Sequence, residues 1–233
     1  MKTNLFILVA LATTFAFSSC SKDDKDVNKD VNAEKTFVSE AAVDGIITNS
    51  TPHAVQDFYT SGAGRKEITM GWDANGNSMR GFISFNVTSI LPASGQTLVI
   101  DNAVLNVFQA NSNLFPFADN KTMLCYLLDY GATLDAADYD ATSISSCGVI
   151  ASASKGVLDG FSINITSVLN SYISSVPSAS RYQFRLQSNS LSNVTSTSSQ
   201  AQAMWNIFAG DQPLMAGNDY RPQLTIKYHY QTK

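Results

Sequence analysis

Four aspartates lie close together in the middle of this 233-residue chain, at Asp129, Asp135, Asp138 and Asp140. Paired carboxylates are the catalytic groups of glycosidases, and clustered carboxylates bind cations. The same spacing is also typical of a solvated loop that leads into a short helix, with Asp135 as the N-cap. We favour the second interpretation, so the cluster is not assigned to catalysis.

A structural Ca²⁺ ion is a further option. Loop carbonyls would hold it together with one or two of Asp44, Asp73, Asp119 and Asp211. The sequence has no ligand loop of EF-hand spacing, and Gly-x-Ser-x-Gly, His-Glu-x-x-His and phosphate-loop motifs are absent. We therefore expect a protein that is not an enzyme and that needs no cofactor apart from such an ion.

Sugar binding would use exposed aromatic rings and planar polar groups, with Arg or Lys added for an acidic glycan. One group of candidates lies early in the chain: Tyr59, Arg65, Lys66 and Trp72. A second group would form the polar face of two strands: Gln183, Arg185, Gln187, Lys227 and His229. For Trp72 the alternative is packing in the core, which is the favoured place for Trp205. Arg80 and Arg221 begin strands, so we expect them to make structural hydrogen bonds.

Three cysteines are present, and Cys125 and Cys147 form an even pair in the mature region. In an oxidising compartment such a pair favours a disulfide, worth about 3 kcal/mol for a loop of this length. The alternative is two free, buried thiols. Neither cysteine is expected to be catalytic, because the two histidines, His53 and His229, lie far away in the sequence.

The third cysteine, Cys20, follows Lys2, an apolar run from Leu5 to Phe17 and the small residues Ser18 and Ser19. This arrangement resembles a signal peptide with the lipobox of bacterial lipoproteins, in which the cysteine is acylated. The acidic stretch that follows resembles the signal that sends Bacteroidota lipoproteins to the outer face of the outer membrane. The sequence thus predicts a leader over 1–19, an acylated and disordered tether over 20–35, and one domain over 36–233.

Composition narrows the function classes. The net charge is −4 and the isoelectric point is near 5.0, which argues against a nucleic-acid partner. After the leader no apolar run is long enough to span a membrane. Charged residues make up only 15% of the chain, and Ser, Thr and Asn are abundant, as in extracellular β proteins.

Short runs of alternating apolar and polar residues dominate from Thr36 onward. They include 80–87, 161–165, 182–187 and 224–230. A period of two with one apolar face predicts antiparallel strands whose other face meets water. Short helices are predicted at 88–91 and 166–174, each with Thr as N-cap, and a third at 134–139. The segments Phe85–Leu91 and Ile163–Leu169 are similar to each other, which indicates two equivalent corners of one β-sandwich.

Taken in order, several segments resemble the DNRLRE family of jelly-roll domains, which overlaps with carbohydrate-binding module family 96. The matching pieces are Val43–Ile46, Arg80–Phe85, Thr88–Pro92, Asn102–Phe108, Phe161–Val168, Tyr182–Leu186 and Arg221–Tyr228. Between the two cysteines, the stretch Asp129–Tyr139 replaces the Trp-rich segment of many members. The resemblance implies a jelly-roll fold and a binding or scaffold role at the cell surface, without chemistry of its own.

We therefore expect an all-β, jelly-roll β-sandwich of two antiparallel sheets with a few short helices at its corners. The expected function is non-catalytic binding of extracellular polysaccharide by a lipid-anchored outer-membrane protein. The alternatives are a structural or adhesive scaffold with a protein partner, and a polysaccharide hydrolase or lyase.

Overall fold

A computed structural model describes residues 32–60, 64–73, 76–110, 122–153, 155–189 and 204–232. The predicted leader, Cys20, Asp119 and most of the predicted tether lie outside these residues. Thirteen strands run through the described part of the chain, with one α-helix, α1 (Thr166–Ser175). Two short 3₁₀ helices accompany them, at Thr88–Ile90 and Ala136–Asp140. No helix among these residues has the length and hydropathy needed to cross a membrane.

The first seven strands are β1 (Ala33–Val38), β2 (Gly45–Thr48), β3 (Ala54–Gln56), β4 (Tyr59–Thr60), β5 (Lys66–Trp72), β6 (Ser78–Asn86) and β7 (Gln96–Phe108). The remaining six are β8 (Met123–Leu128), β9 (Ser145–Ala151), β10 (Gly160–Asn164), β11 (Arg181–Ser188), β12 (Met204–Phe208) and β13 (Gln223–Thr232).

These strands form two sheets in which all pairs are antiparallel. The four-stranded sheet has the order β1-β13-β7-β10. The nine-stranded sheet is built on the order β12-β5-β6-β11-β8-β9, and β2, β3 and β4 pair at its side. Buried side chains of both sheets form one shared core, in which Trp205 and Phe161 meet edge to face at 5.2 Å. The predicted all-β sandwich of two antiparallel sheets is confirmed, while the jelly-roll connectivity stays a prediction.

The two similar segments do form equivalent corners, although their caps differ from the prediction. In each, an asparagine that ends a strand accepts a hydrogen bond from the backbone N–H two residues later: Thr88 N to Asn86 Oδ1 and Thr166 N to Asn164 Oδ1, both 3.1 Å. The threonines are not N-caps, since neither helix has a side-chain cap bond at its N-terminus. Thr166 Oγ1 instead accepts a bond from Ala103 N of β7 at 2.8 Å.

Two further expectations are corrected. Residues 33–35, predicted to belong to the tether, begin β1 and pair with 226–228 of β13. The prediction of a disulfide between Cys125 and Cys147 is also wrong, because both thiols are free. A bulge in the β8–β9 ladder makes Gly148, rather than Cys147, the cross-strand partner of Cys125. The two side chains are left in hydrogen-bonding contact, and burial raises the pKa of the Cys125 thiol.

Candidate functional site

The outer face of the four-stranded sheet is a regular polar surface. Leu105 of β7 and Leu224 and Ile226 of β13 are buried. Because side chains alternate along a strand, the residues next to each of them point outward. The strand register groups eleven of these outward side chains in three rows. We call them the polar face: Glu34, Thr36, Val38, Asn102, Val104, Asn106, Ser162, Asn164, Gln223, Thr225 and Lys227.

Side chains of the polar face hold one another in place across the strands. Asn164 Nδ2 donates to Asn102 Oδ1 at 2.9 Å, and Ser162 Oγ donates to Asn106 Oδ1 at 2.5 Å. The hydroxyls of Thr36 and Thr225 lie 3.0 Å apart. These bonds fix the rotamers of neutral groups and still leave amide N–H groups free to donate outward. The face therefore presents an ordered array of hydroxyl and carboxamide groups.

An aromatic pair borders the polar face. Phe108 follows Asn106 outward on β7 and lies opposite Gly160 of β10, so no side chain stands between its ring and that strand. A Cβ atom at Gly160 would lie only 3.3 Å from the Phe108 ring. The ring of Tyr220 meets Phe108 edge to face at 5.6 Å, and both residues are half-buried. Rings beside hydroxyls and amides are a surface suited to sugars.

The charges on this side of the sheet are paired. Lys227 is more than half exposed, and its Nζ lies 3.2 Å from Glu34 Oε2. His229, farther along β13, lies 3.0 Å from Asp101. The sequence predicts five residues for a binding face on two strands. Of these five, only Lys227 and His229 lie on this side of the four-stranded sheet.

Gln183, Arg185 and Gln187 are not exposed, which overturns their prediction as ligand-binding groups. All three belong to β11, and residues 129–141, here called the covering segment, lie over two of them. Gln183 accepts a bond from Tyr130 N at 2.9 Å and donates to Gly131 O at 2.8 Å. The polar groups of Gln183 and Arg185 thus bond to the backbone of a distant segment rather than to water.

Two buried arginines hold the end of the covering segment. Arg185 Nη1 donates to Ala141 O at 2.8 Å and to Tyr139 O at 3.3 Å. Arg80 also donates to Tyr139 O, and its guanidinium lies 3.9 Å from the centre of the Tyr139 ring. Burial, reinforced by the nearby positive charge of Arg80, lowers the pKa of Arg185 to about 10. Arg80 thus has the structural role predicted for it, and so does Arg221, which pairs with Asp219 at 2.6 Å.

The other predicted sugar contacts lie in or beside the paired strands β4 and β5. Trp72 is buried, because β5 extends through it and pairs it with Ser78. Arg65 Nη1 donates to Ala110 O at 2.9 Å, and Lys66 begins β5 as a half-buried residue. Tyr59 lies in β4, but its side chain is outside the described structure. Burial thus removes Trp72 as a sugar contact.

The aspartate cluster is a loop and a capped helix, as favoured from the sequence. Asp135 and Asp138 form a capping box on the 3₁₀ helix Ala136–Asp140. Asp140 is 71% exposed, and its carboxylate lies 2.9 Å from His53 and 3.9 Å from Arg80. This arrangement is a contact between the covering segment and the loop before β3.

Of the four aspartates considered for Ca²⁺, Asp44, Asp73 and Asp211 lie in the described structure. No group of three or more His, Cys, Asp or Glu side chains among the described residues is placed to hold a metal ion. Asp73 bonds to the backbone and side chain of Asn77, and Asp211 is exposed. Burial raises the pKa of Asp44 to about 8, against hydrogen bonds from Ser39 and Ser84.

Comparisons with known proteins assign no family to this chain. No protein-family model matches the chain, and no curated protein matches it either.

Arg185→Ala is expected to lower the free energy of unfolding by about 2–4 kcal/mol, because it leaves the buried carbonyls of Tyr139 and Ala141 with fewer donors. Urea titration of the purified protein measures this loss. The control Lys227→Ala, on the exposed polar face, should change stability by no more than about 0.5 kcal/mol. Equal unfolding midpoints for the two variants would contradict the role assigned to Arg185.

Asp44 should make the protein less stable as the pH rises from about 4 to about 8. In this window the unfolded carboxyl group loses its proton near its ordinary pKa of 3.8, whereas the folded one keeps it until about 8. Asp44→Asn cannot ionise, so its unfolding free energy should fall less between pH 5 and pH 8 than that of the wild type. Asp211→Asn, at an exposed carboxylate, should keep the wild-type slope. Identical slopes for both variants would exclude a buried, protonated Asp44.

Proposed function

We propose that this protein binds extracellular polysaccharide without catalysis, through the polar face and its border of Phe108 and Tyr220. The observation that carries the proposal is the composition of that face. Nine of its eleven outward side chains are polar, and seven of these carry an uncharged hydroxyl or carboxamide group. Such groups hydrogen-bond to sugar hydroxyls as both donors and acceptors.

Preorganisation supports binding at this face. A flexible polar surface loses side-chain entropy when a ligand orders it, at about 0.5–1.5 kcal/mol for each immobilised side chain. The bonds between Asn164 and Asn102 and between Ser162 and Asn106 already restrict these residues across β7 and β10. Four strands spaced about 4.8 Å apart make a surface about 14 Å wide, which suits an extended chain better than one sugar.

The charge pairs favour a neutral polysaccharide over a polyanion. Lys227 is the one cationic side chain within the polar face, and Glu34 compensates its charge. An acidic glycan would have to compete with Glu34 for Lys227. A new ion pair between the glycan and Lys227 would add little binding free energy, because exposed ion pairs are weak in water. Acidic chains are therefore expected to bind more weakly and with a stronger salt dependence.

The proposed location is the outer membrane, with an acylated Cys20 as the anchor and the domain on the extracellular side. Twelve residues separate Cys20 from the first residue of β1. Fully extended, they would span about 40 Å. This distance would allow the polar face to meet a polysaccharide beyond the membrane surface. The alternative role, a scaffold with a protein partner, predicts that no polysaccharide binds.

Purified protein should bind at least one polysaccharide in a panel of neutral and acidic chains, saturably and without release of products. Asn106→Ala and Lys227→Ala should each weaken that binding about three- to tenfold, since each removes a hydrogen-bonding group. Calorimetry measures the affinity, and a reducing-sugar assay in the same samples detects cleavage.

Gln56→Ala is the matched control, because Gln56 is an exposed residue of β3 in the other sheet. It should bind like the wild type. Wild-type affinity of both polar-face variants would remove this surface as the site. If no polysaccharide in the panel binds, the scaffold role is favoured. Release of products would establish an enzyme.

Cys20→Ala should move the protein from the membrane fraction to the soluble fraction, because the acyl chains that hold it would be missing. Fractionation of cells followed by immunoblotting measures this shift, with Cys147→Ala as a control that keeps the anchor. Unchanged membrane retention of Cys20→Ala would contradict the lipoprotein assignment.

A further inference from the structure

One edge of β7 has no strand beside it over residues 96–103. β10 pairs with β7 only at 104–108, and no other strand of the described chain pairs with β7 on that side. The segment that contains α1 lies along this edge instead. Backbone N–H and C=O groups on such an edge stay open unless something other than a strand bonds to them.

The segment around α1 satisfies part of this edge. Ala103 N donates to Thr166 Oγ1 at 2.8 Å, and Ala103 O accepts from Ile165 N at 2.9 Å. On the other side of the bulge in the β7–β13 ladder, Ile100 N donates to Asn170 Oδ1 at 3.2 Å, and Ile100 O accepts from Asn170 Nδ2 at 2.8 Å. The carboxamide of Asn170 thus bonds to both backbone groups of one residue, as a residue of a neighbouring strand would.

Leu98 is the next residue whose backbone faces this edge. In an antiparallel ladder every second residue turns its N–H and C=O away from the partner strand, so Leu98, about 6.8 Å from Ile100, faces the same side. Neither backbone group of Leu98 bonds there to any described residue. Gln96, two residues farther, donates to Ala93 O at 3.0 Å within a turn. Leu98 therefore presents an open donor and an open acceptor side by side.

A cleft opens beside Leu98, between β7 and the second half of α1. Its volume is about 350 Å³, within the range of ligand pockets, and its lining includes Pro92, Leu98, Asn170, Ile173, Ser174 and Pro177. A second hollow of about 370 Å³ shares Pro92 and Pro177 with it, so the opening continues along the edge. No charged side chain lines either hollow.

The stretch 96–99 also lacks the features that protect other edges. Edge strands ordinarily carry a lysine, a proline or an inward-pointing charge that discourages further pairing. β1, at the opposite end of the same sheet, carries Glu34 and Lys35. Residues 96–99 of β7 are all uncharged and include no proline.

We propose that this edge binds an extended, uncharged peptide segment of a partner protein as an added strand. One residue of that segment would accept from Leu98 N and donate to Leu98 O, as Asn170 does at Ile100. An aliphatic side chain of the segment would pack against Ile173 and Pro177. Extended backbone provides an acceptor and a donor on one side of each second residue, and β-branched residues favour that conformation. The site is separate from the polar face and does not depend on polysaccharide binding.

The test uses the full chain carrying Cys20→Ala, so that it stays in solution, and the acetylated and amidated peptide Thr-Val-Thr-Val-Thr-Lys, whose lysine provides solubility. Titration followed by NMR should show saturable binding, and the bound peptide should slow hydrogen exchange of the Leu98 amide. The amide of Val99 faces β13, so its exchange should change little.

Two derivatives of the peptide test whether its backbone pairs with the edge. One is N-methylated on both valines, and the other on the second and third threonines. Only one side of an added strand bonds to β7, so one derivative should bind at least tenfold more weakly and the other like the parent peptide. Equal affinities of the two derivatives would overturn the added strand, and so would unchanged exchange of the Leu98 amide in the bound state.

Variants of the protein locate the peptide. Ser174→Arg places a long side chain in the cleft and should weaken binding at least tenfold, whereas Ser171→Arg, exposed on the same helix but outside the cleft, should bind like the wild type. Asn106→Ala, on the polar face, should also bind normally, and loss of binding there would overturn the edge as the site. Self-association that Ser174→Arg abolishes, without any peptide binding, would overturn the proposal in favour of a second copy of the chain.

Discussion

The arrangement of this molecule depends on two buried guanidinium groups. Arg80 and Arg185 lie beneath the covering segment and bind its carbonyls, and Tyr139 stacks on Arg80. Removing two like charges from water costs several kcal/mol for each ion, so the site persists only because the carbonyl dipoles, aromatic rings and Asp140 compensate. The result is a second small core, formed by Val43, Ile47, Phe82, Leu128, Tyr130 and Tyr139.

This second core decides which surface is open to ligands. It closes the outer face of the nine-stranded sheet around β6 and β11, whereas the four-stranded sheet keeps its outer face open. The polar residues of the two sheets therefore serve different purposes. On β11 they meet the backbone of the same chain, and on β7, β10 and β13 they meet one another and solvent.

The alternating patterns predicted the strands well, because burial against one shared core imposes a period of two. They predicted Lys227 on an open face for the same reason. They failed at Gln183 and Arg185, because the partners of these residues lie 44 to 53 positions away in the sequence. A period of two indicates that a strand has a polar face, but it cannot distinguish water from a carbonyl that folds over it.

Other features had weaker sequence signals. Asn102 and Asn106 alternate with buried residues of β7 just as Ser162 and Asn164 do on β10, so the array could have been found by aligning the two strands. Phe108 required knowledge of its pairing with Gly160, and the position of Cys147 required the bulge in β9.

The position of β1 has a mechanical consequence. As an edge strand, it is held in the sheet through six residue pairs with β13, and its first residue, Ala33, lies opposite Tyr228. Under the proposed anchoring, tension between the cell and a bound polymer would pass through this ladder. A pull along the strand would load its hydrogen bonds together in shear, whereas a pull across it would peel them apart one pair at a time. The direction of traction would then set how long the domain withstands drag.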